Sequence, residues 1–285
     1  MTTLNQDIKD KLSRLHLLER IILINVVLFL LDALFRVMSS SGSSFLLDWF
    51  SLSNEFWEVI INPWTVFSYG FLHYNFTHLF FNMLVLYVLA QTFSNLFHPR
   101  LASKLYLLGI LFGAITFILT NLLIPSIINI NGPLVGASAG VRSLILFLCT
   151  YMPNRLIGFL TFRFKLKYLG IVMVILDLPG LFSTNSGGTI AHIGGYILGY
   201  YYARQIQLGT EPFRFFDRIL DFLTRQKALR TIYKKTTTSF AGQPKKDFDA
   251  FTHQKQIDII LDKISKSGYD SLTQQEKDFL FRAGK

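Results

Sequence analysis

The chain contains a single cysteine, Cys149. That excludes an internal disulfide and any metal cluster built on thiolates. Cys149 lies inside an apolar run, where cysteine acts as a small packing residue. Charge is also scarce: Asp, Glu, Lys and Arg make up 16% of the residues and hydrophobic types 51%, whereas a soluble domain carries about 25% charge. Lys and Arg are absent from residues 37–99, 105–141 and 168–203. No acidic residue joins His73, His78 and His192 at ligand spacing, so neither a metal nor a cofactor is expected. The opening "MTTLNQDIKDKLSRLHLLER" is too charged and too long for a secretory signal peptide, so the first apolar block is expected to be retained and inserted.

What the chain does have is hydrophobic residues gathered in blocks. Six are visible, at 17–38, 77–97, 104–124, 136–152, 167–181 and 189–205, each near the ~20 residues that cross a bilayer as a helix. The net charge of +10 sits between and beyond these blocks, where it is a topology signal and does not call for nucleic acid. Basic residues occupy the N-terminus, the link with Arg100 and Lys104, the link with Arg155, Arg163, Lys165 and Lys167, and the tail. Alternate loops are basic, so both ends are predicted to be cytoplasmic and residues 39–76 extracytoplasmic. That long connection carries Trp49, Phe56, Trp57 and Trp64 among polar residues, a pattern suited to the membrane interface, and its length implies structure or function of its own. His73, at its end, reads as an interfacial residue, with support of the site's histidine from behind as the alternative.

Three parts follow: a membrane domain at 1–207, a juxtamembrane segment and linker at 208–242, and a helical hairpin at 243–285. In the second, Phe213, Phe216, Leu220 and Leu223 alternate with basic residues, suiting either an amphipathic helix on anionic lipid or a solvated continuation of the last block. In the third, Ile257, Ile260, Leu261 and Ile264 form one apolar face, Gly268 stops the helix, and Thr273 to Glu276 is a capping box opening a second helix.

Polar residues inside apolar blocks are costly and usually face a cavity or a partner. His78 and Asn82 in "THLFFNM" share a helix face, Ser138 follows a Gly-Ala step, and His192 shares a face with Gly195 and Gly199 in "AHIGGYILG". At ~1.5 Å per residue, Ser138 stands about 22 Å above Pro153, His192 about 18 Å above Arg204 and Asn82 about 24 Å above His98. All three therefore lie roughly 10 Å below the outer surface of a hydrocarbon core ~30 Å thick. A serine becomes a nucleophile when a base removes its proton, and imidazole does so near neutral pH. Gly195 and Gly199 let the sixth helix approach another closely, and if that is the fourth, His192 meets Ser138. The oxyanion formed on carbonyl attack needs donors, which His78, Asn82 and the Ser138 N–H can supply.

"HLFFNM", "GASAG" and "AHIGGYILG", in this order on alternate blocks, resemble the rhomboid intramembrane serine proteases over residues 17 to 207. The aromatic loop resembles that family's membrane-embedded first loop. The resemblance implies an all-α, six-span bundle in a bacterial inner membrane, followed here by a small cytoplasmic helical extension. It implies Ser138 as nucleophile and His192 as base of a dyad without a third acid. It further implies His78 and Asn82 as the oxyanion pair, Gly136 as the glycine two before the serine, and single-span membrane proteins as substrates. The sequence departs from the family pattern at Ala139, where glycine is common, at Trp64-Thr65, where Trp-Arg is common, and at Arg142 inside the fourth block.

Arg142 lies four residues after Ser138, about 6 Å deeper on the same face. Asp177 in "VILDLPG" is its natural partner, at similar depth on the next block. The alternative is an Arg142 that snorkels toward active-site water, with Asp177 bonded to backbone. Two other functions fit the composition. A non-catalytic relative would bind and escort membrane helices. A small transporter would show an inverted repeat with broken helices, and none is visible.

Overall fold

The computed structural model of the chain describes residues 15–39, 43–125, 128, 130, 132–159, 162–218, 257–265 and 268–283. It divides into two compact units, residues 1–226 and 227–285. The first is a helical bundle. Helix α1 (Leu17–Met38) opens where Glu19 reaches back to the His16 N–H at 2.9 Å. Short helices α2 (Phe45–Phe50), α3 (Phe56–Ile61) and α4 (Thr65–Ser68), then a 3₁₀ turn at Tyr69–Phe71, fill the long first connection. The main helices follow: α5 (Phe76–Leu96), α6 (Pro99–Leu123), α7 (Ser138–Tyr151), α8 (Leu166–Asp177) and α9 (Ser186–Gln207).

Helices α1, α5 and, from Arg100, α6 are long and apolar enough to cross a membrane. Helix α7 is apolar but has 14 residues, and α8 has 12 before a 3₁₀ turn at Leu178–Phe182. Leu30, Leu34, Phe80, Phe81, Val88, Ile171 and Ile175 point outward, as a lipid-facing belt requires and a water-facing surface disfavours.

The centre of the bundle is built from small residues. A Cβ on Gly195 would overlap the Ala139 carbonyl, one on Gly199 the Ser143 carbonyl, and one on Gly194 the backbone of Phe112. Helix α9 therefore lies against α7 on one side and α6 on the other, backbone to backbone. Gly109 and Gly113 of α6 face Ser143 and Ala139 of α7 in the same way. Hydroxyls fasten the crossings: Ser143 Oγ donates to Leu105 O at 2.9 Å and Thr116 Oγ1 to Ile190 O at 3.1 Å.

Several expectations need correcting. The segment between the fourth and fifth blocks is an antiparallel hairpin, β1 (Leu156–Phe159) with β2 (Phe162–Lys165), pairing Leu156 with Lys165. The alternation Phe-Arg-Phe-Lys is a strand period, so the fold is not purely α. The third helix begins at Pro99, capped by His98, and not near 104. Lys104 is thereby carried inside, 1% exposed, with Nζ 2.9 Å from Asp217 and 3.5 Å from Glu211. Asp32, unremarked within the first block, is buried and accepts from Arg36 Nε at 2.8 Å and from the Ser44 hydroxyl. Phe213 and Phe216 pack on the bundle itself. The Phe213 ring packs on Phe112, Tyr201 and Tyr202, and Phe216 is buried. Leu220, Leu223 and the linker lie outside the described residues.

In the second unit, residues 257–265 are helical, the Gly268 N–H donates to Ile264 O at 2.9 Å, and α10 (Gln274–Ala283) follows. The capping box is formed: Thr273 N–H donates to Glu276 Oε2 at 2.7 Å and Glu276 N–H to Thr273 Oγ1 at 3.3 Å. Lys263 Nζ joins Glu276 at 2.8 Å, and with the Thr273 N–H it pulls that carboxyl down to about 2.

Candidate active site

Ser138 is the first residue of α7. The chain reaches it through a strap tied to the first connection. Leu52 and Leu134 exchange backbone hydrogen bonds at 3.0 and 2.7 Å, and the Gly136 N–H donates to Tyr69 O at 2.9 Å. Gly136 has φ +127°, a conformation open to glycine, and a Cβ there would stand 2.7 Å from His78 Cε1. The absent side chain is the space in which the His78 ring lies. His78 is fixed at the start of α5, where Asn75 Oδ1 accepts its N–H at 2.8 Å. Asn82, one turn on, donates to the His78 carbonyl at 2.9 Å.

Ser138, His192, His78, Asn82 and Arg142 line one cavity of about 730 Å³. Gly195 and Gly199 lie beneath it at the α9–α7 crossing. No hydrogen bond joins the Ser138 hydroxyl to His192 among the described residues; such contacts commonly tighten once substrate is bound. Ala139, one of the departures from the family pattern, is fully buried, and Gly113, whose missing side chain would stand 2.7 Å from the Ala139 Cβ, leaves room for its extra methyl. Thr65, another departure, is buried and its hydroxyl donates to Asn62 O at 2.6 Å.

Arg142 and Asp177 are paired: Nε donates to Oδ2 at 3.0 Å and Nη2 to Oδ1 at 3.3 Å. The carboxylate has two more partners that the sequence reading missed. His192 Nδ1 stands 3.1 Å from Asp177 Oδ2, and the Tyr196 hydroxyl donates to the same oxygen at 2.6 Å. Of the two readings of His73, the interfacial one gives way to the other. The residue is buried, with its ring edge-to-face on His78 at 4.8 Å. Burial, and then the neighbouring His78, push its imidazole down to about 3, so it packs as a neutral ring against His78. The signal available was its spacing of five from His78, which puts it just outside the helix that carries His78.

The rhomboid domain model matches residues 61–207. That is half of the chain, and it holds every residue lining the cavity. The chain belongs to the rhomboid family and is an integral membrane protein that associates with the lipid bilayer. A family of unknown function (DUF6576) matches residues 249–283, a range that includes α10. No curated protein is significantly similar to the chain.

Proposed function

We propose that this protein is an intramembrane serine endopeptidase that cleaves single-span membrane proteins near the extracytoplasmic face. One observation carries the reading: Ser138 and His192, on helices joined by glycines, share a cavity with His78 and Asn82. Six spans with both ends in the cytoplasm complete the proposal, resting on the alternation of basic loops. His192 takes the Ser138 proton as Oγ attacks the scissile carbonyl. The oxyanion is met by the Ser138 N–H, one of the free donors at the positive end of α7, and by His78 and Asn82. His192 then protonates the departing amine as the peptide bond breaks, leaving an acyl-enzyme. Water attacks the ester, giving its proton to His192, and Ser138 recovers that proton as the acid leaves. The substrate must unwind locally, because a helical peptide bond is closed to attack.

A fluorophosphonate probe tests the reading on the purified full chain in liposomes, alongside a panel of single-span substrates. Labelling at Ser138, abolished in Ser138→Ala, is expected together with cleavage. A protein that only binds and escorts membrane helices would neither label nor cut, and that result would refute the proposal. Thiol labelling of Ser271→Cys in intact cells tests orientation, and reaction without permeabilisation would reverse it.

A further inference from the structure

A dyad leaves the far side of the histidine ring unassigned, and here that side is occupied. We propose that Asp177 is a positioning residue for His192, making a Ser–His–Asp triad, and that Arg142 and Tyr196 hold Asp177 in place; this rests on the protease reading above. Arg142 stands one helical turn after Ser138 on α7, and Tyr196 one turn after His192 on α9. The residue one turn beyond Ser138 and the residue one turn beyond His192 thus grip one carboxylate, whose remaining contact is His192 itself. Asp177 ends α8, and the 3₁₀ turn that follows, with Pro179 near its start, fixes the direction of its approach.

The chemistry of the donors decides the tautomer. An ionised carboxylate only accepts hydrogen bonds, so the 3.1 Å contact puts the proton on Nδ1 of His192. Nε2 is then left with the lone pair that Ser138 needs. Arg142 Nε and the Tyr196 hydroxyl, at 3.0 and 2.6 Å, fix the same oxygen against rotation. As the proton arrives from Ser138, the carboxylate faces the imidazolium and remains unprotonated itself. Arg142 opposes part of that stabilisation, so the two residues should move the base in opposite directions. The charged and titratable groups around His192 are Asp177 from α8, Arg142 from α7, Tyr196 from its own helix and His78 across the cavity from α5.

The test is the pH profile of kcat/KM for the purified full chain with a cleaved single-span substrate. Asp177→Asn is expected to lower kcat by about 100- to 10,000-fold with KM little changed, and to move the acid limb to lower pH. Arg142→Gln keeps the carboxylate, so its smaller loss should come with an acid limb moved to higher pH. The double variant Asp177→Asn/Arg142→Gln removes the stranded guanidinium and should remain as slow as Asp177→Asn. Recovery of the double to wild-type rate would make the pair purely structural and overturn the proposal, as would an unchanged rate and profile in Asp177→Asn. If Asp177→Asn does not fold, Arg142→Gln decides alone, an unmoved acid limb counting against the triad. A wild-type protein that neither labels nor cleaves defeats the protease reading itself, a result distinct from all of these.

Discussion

Among the described residues, Lys104 and Arg142 lie inside this bundle, at opposite ends, and each is neutralised by a carboxylate from later in the chain. Lys104, near the start of α6, meets Asp217 and Glu211, while its ammonium lies 5.7 Å from the centre of the Tyr202 ring. Arg142, near the start of α7, meets Asp177. The partners differ in what else they touch. Asp217 and Glu211 are 36% and 46% exposed, so water serves them if the lysine is removed. Asp177 is 18% exposed and also bonded to His192 and Tyr196. The same solution to a buried charge is a fastening at one end and part of the proposed reactive centre at the other. What distinguishes them is the third group on the carboxylate.

The largest expected effect is on turnover and confined to one end. His192→Ala should reduce cleavage by at least ~10,000-fold, as loss of a base in a serine mechanism does, with the protein still folded in detergent. Cleavage within tenfold of wild type would remove His192 from the chemistry. Next comes the stability of the charged pair. Arg142→Met or Asp177→Leu alone strands a charge in a largely apolar setting and should cost roughly 3–5 kcal/mol, whereas the double variant should recover most of that loss. Denaturant or thermal unfolding reads the cycle. Strictly additive losses would mean the two residues are not coupled.

Much of the arrangement could be read before any coordinates. Polar residues in apolar blocks declare themselves by their cost, so Ser138, His192, His78, Asn82 and the Arg142–Asp177 pair all stood out. The closeness of α7 and α9 was written in Gly195 and Gly199. What stayed hidden depends on distances across the fold. The contact of Asp177 with His192 needs the 3₁₀ turn at Leu178–Phe182 to fold α8 back over fifteen residues. Lys104 looked like a loop charge because its partners lie more than a hundred positions away. The hairpin at 156–165 was masked by basic residues that a topology argument reads by charge and not by alternation. His73 carries two readings in the sequence because an interfacial histidine and one buried against His78 leave the same local pattern.

A neutral polar group at the reactive end should matter less than its charges. Asn82→Ala is expected to slow cleavage by about 10–1000-fold, as loss of one oxyanion donor does, with little change in thermal stability, since its bond to the His78 carbonyl stays within one helix turn. An unchanged kcat would leave the oxyanion to His78 and the α7 N-terminus.

The smallest effect is expected at Lys104, and it tests whether the two ends really differ. Lys104→Met removes the ammonium and fills its buried volume with an apolar chain of similar length. Its former partners are half in water, so neither carboxylate is stranded; the loss should be about 1 kcal/mol, part of it the cation–π contact with Tyr202. Asp217→Asn should be worse than Lys104→Met, because it leaves a charge that is 1% exposed with Glu211 at 3.5 Å as its remaining carboxylate. Neither change reaches the cavity, so kcat should stay within about twofold of wild type, a range worth less than half a kcal/mol. Unfolding curves and steady-state cleavage on the same preparations check both halves. A Lys104→Met protein as destabilised as Arg142→Met, or one that loses cleavage while remaining folded, would show that the two buried cations do the same work.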